Sequence, residues 1–224
     1  MDLKNICWGE FNLNEIFPNI QRGKRLKRGD HAAGNKPYVS SSSLNNGIDG
    51  FVSNAERIRE FRKCLTIANS GSVGATFFQP FSFVASDHVT KLENKELSKN
   101  IYIFISNIAK RLGEKYSFNR EINDKRIQRE KILLPINPQG EPDYAFMEQF
   151  MRQKEQEKLE KFQNYIAKRI EQTKGFKEVE PLNQKEWGEF FVEDIFKIKA
   201  GKRLTKADMK KGSIWNGYLF SDSF

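Results

Sequence analysis

Five of the seven residues Arg22-Gly23-Lys24-Arg25-Leu26-Lys27-Arg28 are cationic. Guanidinium and ammonium groups this dense bind phosphate, and the glycine lets the backbone turn so that the charges land together. Lys24, Arg25, Lys27 and Arg28 are therefore candidates for contact with a nucleic-acid backbone. A solvated surface run is the alternative, and it is the usual fate of a charge cluster. Three further stretches carry small donors and acceptors suited to base edges: Ser41, Ser42, Ser43, Asn45 and Asn46; Ser70 and Ser72; and Lys115, Tyr116, Asn119 and Arg120. Serine and asparagine also favour tight turns for backbone reasons alone, and Tyr116 and Phe118 suit a core equally well. Groups fit for catalysis are few. His31 and His88 are the only histidines, and neither has a nucleophile or ligand partner at meaningful spacing. Gly71 to Gly74 has neither the length nor the lysine of a phosphate-cradling loop.

Composition agrees with a polyanion partner. The formal net charge is +9 and the pI is near 9.4, and electrostatics dominate affinity for nucleic acid. Nineteen Phe and six Tyr supply enough apolar mass for a folded core. Cys7 and Cys64 form neither a disulfide framework nor a metal pattern, which fits a reducing compartment. Nothing approaches the apolar length of a membrane span or a secretory signal, so a cytoplasmic protein without cofactor or metal is expected.

The candidate residues must be held by a mixed set of elements. Pro37-Tyr38-Val39 reads as a strand entering the serine-rich loop, with Ile48 to Val52 returning. Cys64 to Ala68 reads as a buried strand followed by the Asn69 to Gly74 turn. Ala75 to Phe83 reads as an aromatic strand pair broken at Pro80. Leu97 to Leu112 has the period of an amphipathic helix stopped by Gly113. Ile132 to Ile136 reads as a strand. Pro138 to Pro142 marks a boundary, after which Asp143 to about Gln172 contains neither Gly nor Pro and is dense in charge. A helix there would span roughly 45 Å, with Asp143 as N-cap. Met147, Met151, Leu159, Phe162, Ile166 and Ile170 form a stripe along it, interrupted where Glu155 takes the seam. Such a stripe suits a helix pair, although packing on its own domain is the alternative.

The opening of the chain returns near its end. Trp8 to Asp30 reads WGEFNLNEIFPNIQRGKRLKRGD and Trp187 to Asp208 reads WGEFFVEDIFKIKAGKRLTKAD. The offset of about 179 residues is domain-sized, far above the period of a solenoid. The predicted layout is a folded domain over 1–140, a long spacer or dimerisation helix over 141–174, a linker over 175–186, and the start of an incomplete second domain over 187–224. Its 38 residues are too few to bury a core alone. The chain is therefore expected to be cut short within that domain.

Taken in order, W-G-E-F, G-K-R-L, P-Y-V-S with N-N-G, S-G-S-V-G-A-T-F-F-Q, F-V-A-S-D-H-V, K-Y-S-F, a strand ending I-L-L-P and a helix opening P-D-Y-A-F-M-E resemble the specificity subunits of type I restriction-modification systems. The branch with BcgI-like target-recognition domains is the most similar. The resemblance covers Trp8 to Ile170, and the restart at Trp187 matches the family's second recognition domain. It implies an α/β (mixed α+β) target-recognition domain followed by a long coiled-coil-type helix. It also implies a non-catalytic subunit that reads half of a split site on double-stranded DNA and directs methyltransferase and restriction subunits. The residues agree: there is no [DN]-P-P-[YF] motif, no glycine-rich cofactor loop and no complete P-D…[DE]-x-K triad after Pro142-Asp143. The shortened chain leaves the long helix without an antiparallel mate, so a homodimer through Asp143 to Gln172 is expected. Two competing readings are the recognition portion of a larger restriction-methylation enzyme, and a basic scaffold that binds nucleic acid without sequence preference.

Overall fold

A computed structural model of the chain describes residues 3–116, 121–175 and 181–201. It divides into two units, Met1–Gln172 and Thr173–Phe224. The first opens with strand β1 (Trp8–Asn12) and a single helical turn, α1 (Leu13–Ile16). The Glu15 carboxylate caps that turn, accepting from the Asn12 backbone N–H at 3.0 Å and from the Asn12 amide at 2.6 Å. Those bonds hold its pKa below the ordinary carboxylate value. The turn drives Leu13, Ile16 and Phe17 fully into the core, each burial contributing roughly 1.5–3 kcal/mol.

Nine strands follow: β2 (Asn19–Arg22), β3 (Ala33–Val39), β4 (Ile48–Val52), β5 (Glu60–Phe61), β6 (Cys64–Ala68), β7 (Thr76–Gln79), β8 (Phe83–Ala85), β9 (Val89–Glu93) and β10 (Lys131–Pro135). They build three sheets: β1-β10, β2-β9-β6-β7 and β4-β3-β8-β5, antiparallel except for the β3–β8 pair. Every residue of β6 is buried, as expected for an apolar run at the centre of a sheet. The aromatic stretch 75–83 differs from expectation: β7 and β8 do not pair but enter different sheets, with Pro80 between them. Helix α2 (Lys99–Ala109) starts one residue after Ser98, whose hydroxyl accepts from the Ile101 N–H. It tightens into a 3-10 turn over Lys110–Lys115, so Gly113 lies inside the turn and does not end the helix. A short turn, α3 (Asp124–Ile127), leads back into β10.

Helix α4 (Tyr144–Thr173) begins where Asp143 accepts from the Phe146 N–H at 2.9 Å. Its first three turns belong to the domain. Met147 is fully buried in the main core, Met151 packs against that core, and Phe150 meets Phe104 edge to face at 5.7 Å. Met147, expected on a free interface stripe, is thus a core residue. Glu148 accepts from Ser98 and from Asn100, and Glu155 pairs with Lys99 at 3.4 Å. Beyond that pair Leu159, Phe162, Ile166 and Ile170 are exposed.

In the second unit α5 (Val192–Ile195) repeats α1. The residue before each turn lies at φ −70°, ψ 142°, and in each the first residue beyond the turn donates its N–H four residues back at 2.8 Å. Surroundings differ. Trp8 is paired opposite Pro135 in a sheet and is 38% exposed, whereas Trp187 is 76% exposed and donates its indole N–H to the Leu182 carbonyl at 3.1 Å. No helix among the described residues is long and apolar enough to cross a membrane.

Candidate nucleic-acid interface

The loops singled out by composition meet at one end of the β2-β9-β6-β7 sheet. Gly23 donates to the Val89 carbonyl at 2.8 Å and Lys24 to the Ala85 carbonyl at 3.0 Å, which lays the start of the basic loop against the Ser86 to His88 turn. A Cβ on Gly23 would sit 2.1 Å from the Ser86 carbonyl oxygen, so only glycine permits that approach. Ser86 in turn donates to Val39, the last residue before the serine loop, and Asn69 donates to the His88 carbonyl at 2.8 Å. Ser72 donates to the Ser41 carbonyl at 3.1 Å, joining the Ser70 to Ser72 turn to the serine loop. Ile122 donates to the Asn69 carbonyl at 3.1 Å, so the stretch that leads into α3 starts at the same place. Four loops and the foot of a fifth form one surface.

Lys24, Arg25, Lys27 and Arg28 are exposed on its flank, and none makes an ion pair among the described residues. The Tyr38 hydroxyl donates to the Leu26 carbonyl at 3.3 Å and His31 stacks edge-on against the same ring at 4.6 Å, which anchors the loop. Burial pushes the Tyr38 pKa up, so the hydroxyl remains a neutral donor. In the serine loop, the Ser42 hydroxyl accepts from the Leu44 N–H at 3.0 Å. Asn45 and Asn46 adopt left-handed conformations at φ 48° and 54°, which asparagine tolerates better than most residues. Their side chains, with that of Ser43, face solvent. The Asn46 carbonyl accepts from Gln79 at 2.8 Å, tying the turn to β7.

Other expected contacts are placed elsewhere. Tyr116 is buried in the main core and its hydroxyl donates to the Glu130 carboxylate, which Lys115 also meets at 3.2 Å. Tyr116 is therefore not part of this loop surface, and Lys115 has a carboxylate of its own. Asn119 and Arg120 lie outside the described residues, as do Lys202 and Arg203 of the second copy.

One polar group emerges that composition did not flag. The Ser70 hydroxyl is 2.6 Å from His88 Nδ1, and the imidazole remains half exposed with Nε2 3.9 Å from Asp87. The His88 N–H donates to Ser86 Oγ at 3.1 Å, so backbone and ring are both fixed. Either tautomer leaves Nε2 for an outside partner. The trio does not make a hydrolytic centre, because Ser70 is buried and a substrate carbonyl could not reach its hydroxyl. Among the described residues no cluster of three or more His, Cys, Asp or Glu is placed to hold a metal ion.

Residues 5–164 match the family described as the type I restriction modification DNA specificity domain. The chain belongs to that family. Among its specificity-domain relatives, the type II restriction enzyme specificity subunit S.BcgI of Heyndrickxia coagulans is 35% identical over 155 residues, which cover 68% of this chain and 45% of that protein. The chain thus spans about half the length of the curated relative it matches. Two solved structures are similar. The S subunit of a type I restriction-modification system from M. genitalium is 20% identical over 75% of this chain and 45% of its own, with a TM-score of 0.47. The HsdS subunit from Thermoanaerobacter tengcongensis is 15% identical over 70% and 39%, with a TM-score of 0.48.

Proposed function

We propose that the first unit is a target-recognition domain that reads one half of a bipartite site on double-stranded DNA and does no chemistry itself. It would direct methyltransferase and restriction subunits in the cytoplasm. The observation that carries this reading is the convergence of the basic loop, the serine loop, the Asn69 to Gly74 turn and the Ser86 to His88 turn through backbone hydrogen bonds. Phosphate-binding charge then flanks a patch of fixed small donors and acceptors, the division of labour that positions a duplex and reads it. Lys24, Arg25, Lys27 and Arg28 would hold phosphates. Ser41 to Asn46, Ser72 and His88 Nε2 would face base edges, while Ser70, buried and 2.6 Å from His88 Nδ1, would hold that ring in place; Asn119 and Arg120 would add further contacts. The exposed stripe at Leu159, Phe162 and Ile166 would pair with a second copy of the helix, so that two domains read a symmetric split site.

The test is competition at fixed salt. Duplex selected by the full chain should resist displacement by scrambled duplex by a factor of about a thousand or more. Equal displacement by both would favour a basic scaffold without sequence preference.

A further inference from the structure

At the other end of the same sheet lies a cavity of about 540 Å³. Five residues of β6 separate it from the reading loops, roughly 17 Å of strand. Its floor is the stacked pair Phe78 and Tyr102, with ring centroids 5.2 Å apart. The Tyr102 hydroxyl accepts from the Asn94 N–H at 2.8 Å and donates to the Asn94 carbonyl at 2.7 Å, so the floor is rigid. Arg62, Lys63, Lys95 and Lys99 stand around the opening. Only Lys99 has an acid of its own, Glu155; the other three make no ion pair among the described residues. Glu93, the one carboxylate in the wall, is already matched by Lys91 at 3.0 Å and by the Asn19 amide at 2.6 Å. Lys63 sits at φ 47°, a left-handed conformation in which glycine or asparagine costs less.

We propose that this cavity docks an acidic segment of the methyltransferase subunit, with one aromatic or large aliphatic side chain seated on Phe78 and Tyr102. Carboxylates beside that anchor meet Arg62, Lys63 and Lys95. The choice of partner rests on the reading of the chain as a recognition subunit. A concave apolar floor inside a cationic rim is filled by an anchor side chain and satisfied by flanking acids, the arrangement of an interface hot spot. A duplex fits poorly, because its bases are stacked inside a convex rod and would leave the floor empty. DNA held at the reading loops leaves this end of the sheet open, so both partners bind at once.

The experiment titrates the full chain with its cognate methyltransferase subunit, and separately with duplex DNA, by calorimetry. Arg62→Glu with Lys95→Glu alters only exposed side chains and should weaken subunit binding by about tenfold or more with duplex binding unchanged. Lys24→Glu with Arg25→Glu should do the opposite. Undiminished subunit binding in the rim variant overturns the proposal and leaves the recognition reading intact. Loss of duplex binding in the rim variant assigns the cavity to nucleic acid instead. Failure of the unaltered chain to bind the subunit overturns the proposal, and only failure to bind duplex selectively removes the recognition reading beneath it.

Discussion

At the residues that would face a duplex, net charge and hydrogen-bond geometry have separate consequences. Lys24 and Arg25 are solvent-facing cations on a loop pinned at Gly23 and Lys24. Replacing both with alanine should weaken every duplex alike and lower the salt dependence of binding by about one unit of slope per lost phosphate contact. A filter-binding series across salt concentrations checks it; a sequence-dependent loss would move these residues into the reading group. Gly23→Ala tests the pin itself, since a Cβ meets the Ser86 carbonyl oxygen at 2.1 Å. Thermal unfolding should show a lower Tm and duplex titration a weaker complex, even though no charge has changed. The basic run and the serine loop were legible as chemistry because both are local patterns. The Ser70–His88 pair was not, since its partners lie 18 residues apart and meet only when β6 and β9 pair. The sequence leaves Tyr116 between core and contact because alternation of aromatic and basic residues does not say which side of a chain is covered, and the structure buries it.

Among the elements, α4 shows how far periodicity carries. Its length, its Asp143 cap and its apolar stripe follow from the sequence, because they depend on spacing alone. Which part of the stripe is covered does not, because that depends on where α2 lies. Met147 is covered by its own domain, while Phe162 is exposed. The repeated turn makes the same point: α1 and α5 share backbone angles, but Leu13 is fully buried and Val192 is 61% exposed. Local sequence encodes the turn, and β10 with its neighbours supplies the burial. The contact between α4 and α2 carries a pH dependence. Hydrogen bonds from Ser98 foremost, and then from Arg152, hold the Glu148 pKa below its ordinary value of 4.5. A carboxyl depressed in the folded state stabilises above its unfolded pKa, and that contribution is lost as pH falls through the lower, folded value. Acid titration followed by hydrogen exchange at the start of α4 should therefore show opening below about pH 4.5, and Glu148→Gln should flatten that response.

For the whole molecule, the proposed two-fold arrangement rests on a helix whose last turns expose apolar side chains. Phe162→Lys with Ile166→Lys should convert a dimer into a monomer in sedimentation at micromolar concentration, with the Tm of the first unit unchanged, because neither residue touches its core. A monomer before substitution would remove the dimer and leave DNA reading by a single domain. The duplication was legible as soon as Trp8 and Trp187 were aligned, since repeated strings need no structure to be seen. The three-sheet order of the first unit was not, because β3 meets β8 across more than 40 residues of chain.

The most direct test of sequence reading by the converged loops is methylome sequencing of a host that carries this chain with its cognate methyltransferase subunit, compared with a host carrying the Asn45→Ala variant. The account predicts one split motif for the unaltered chain and a changed or relaxed base at a fixed position in the variant. Methylation without a motif, or a motif that Asn45→Ala leaves in place while methylation merely declines at every site, would contradict it.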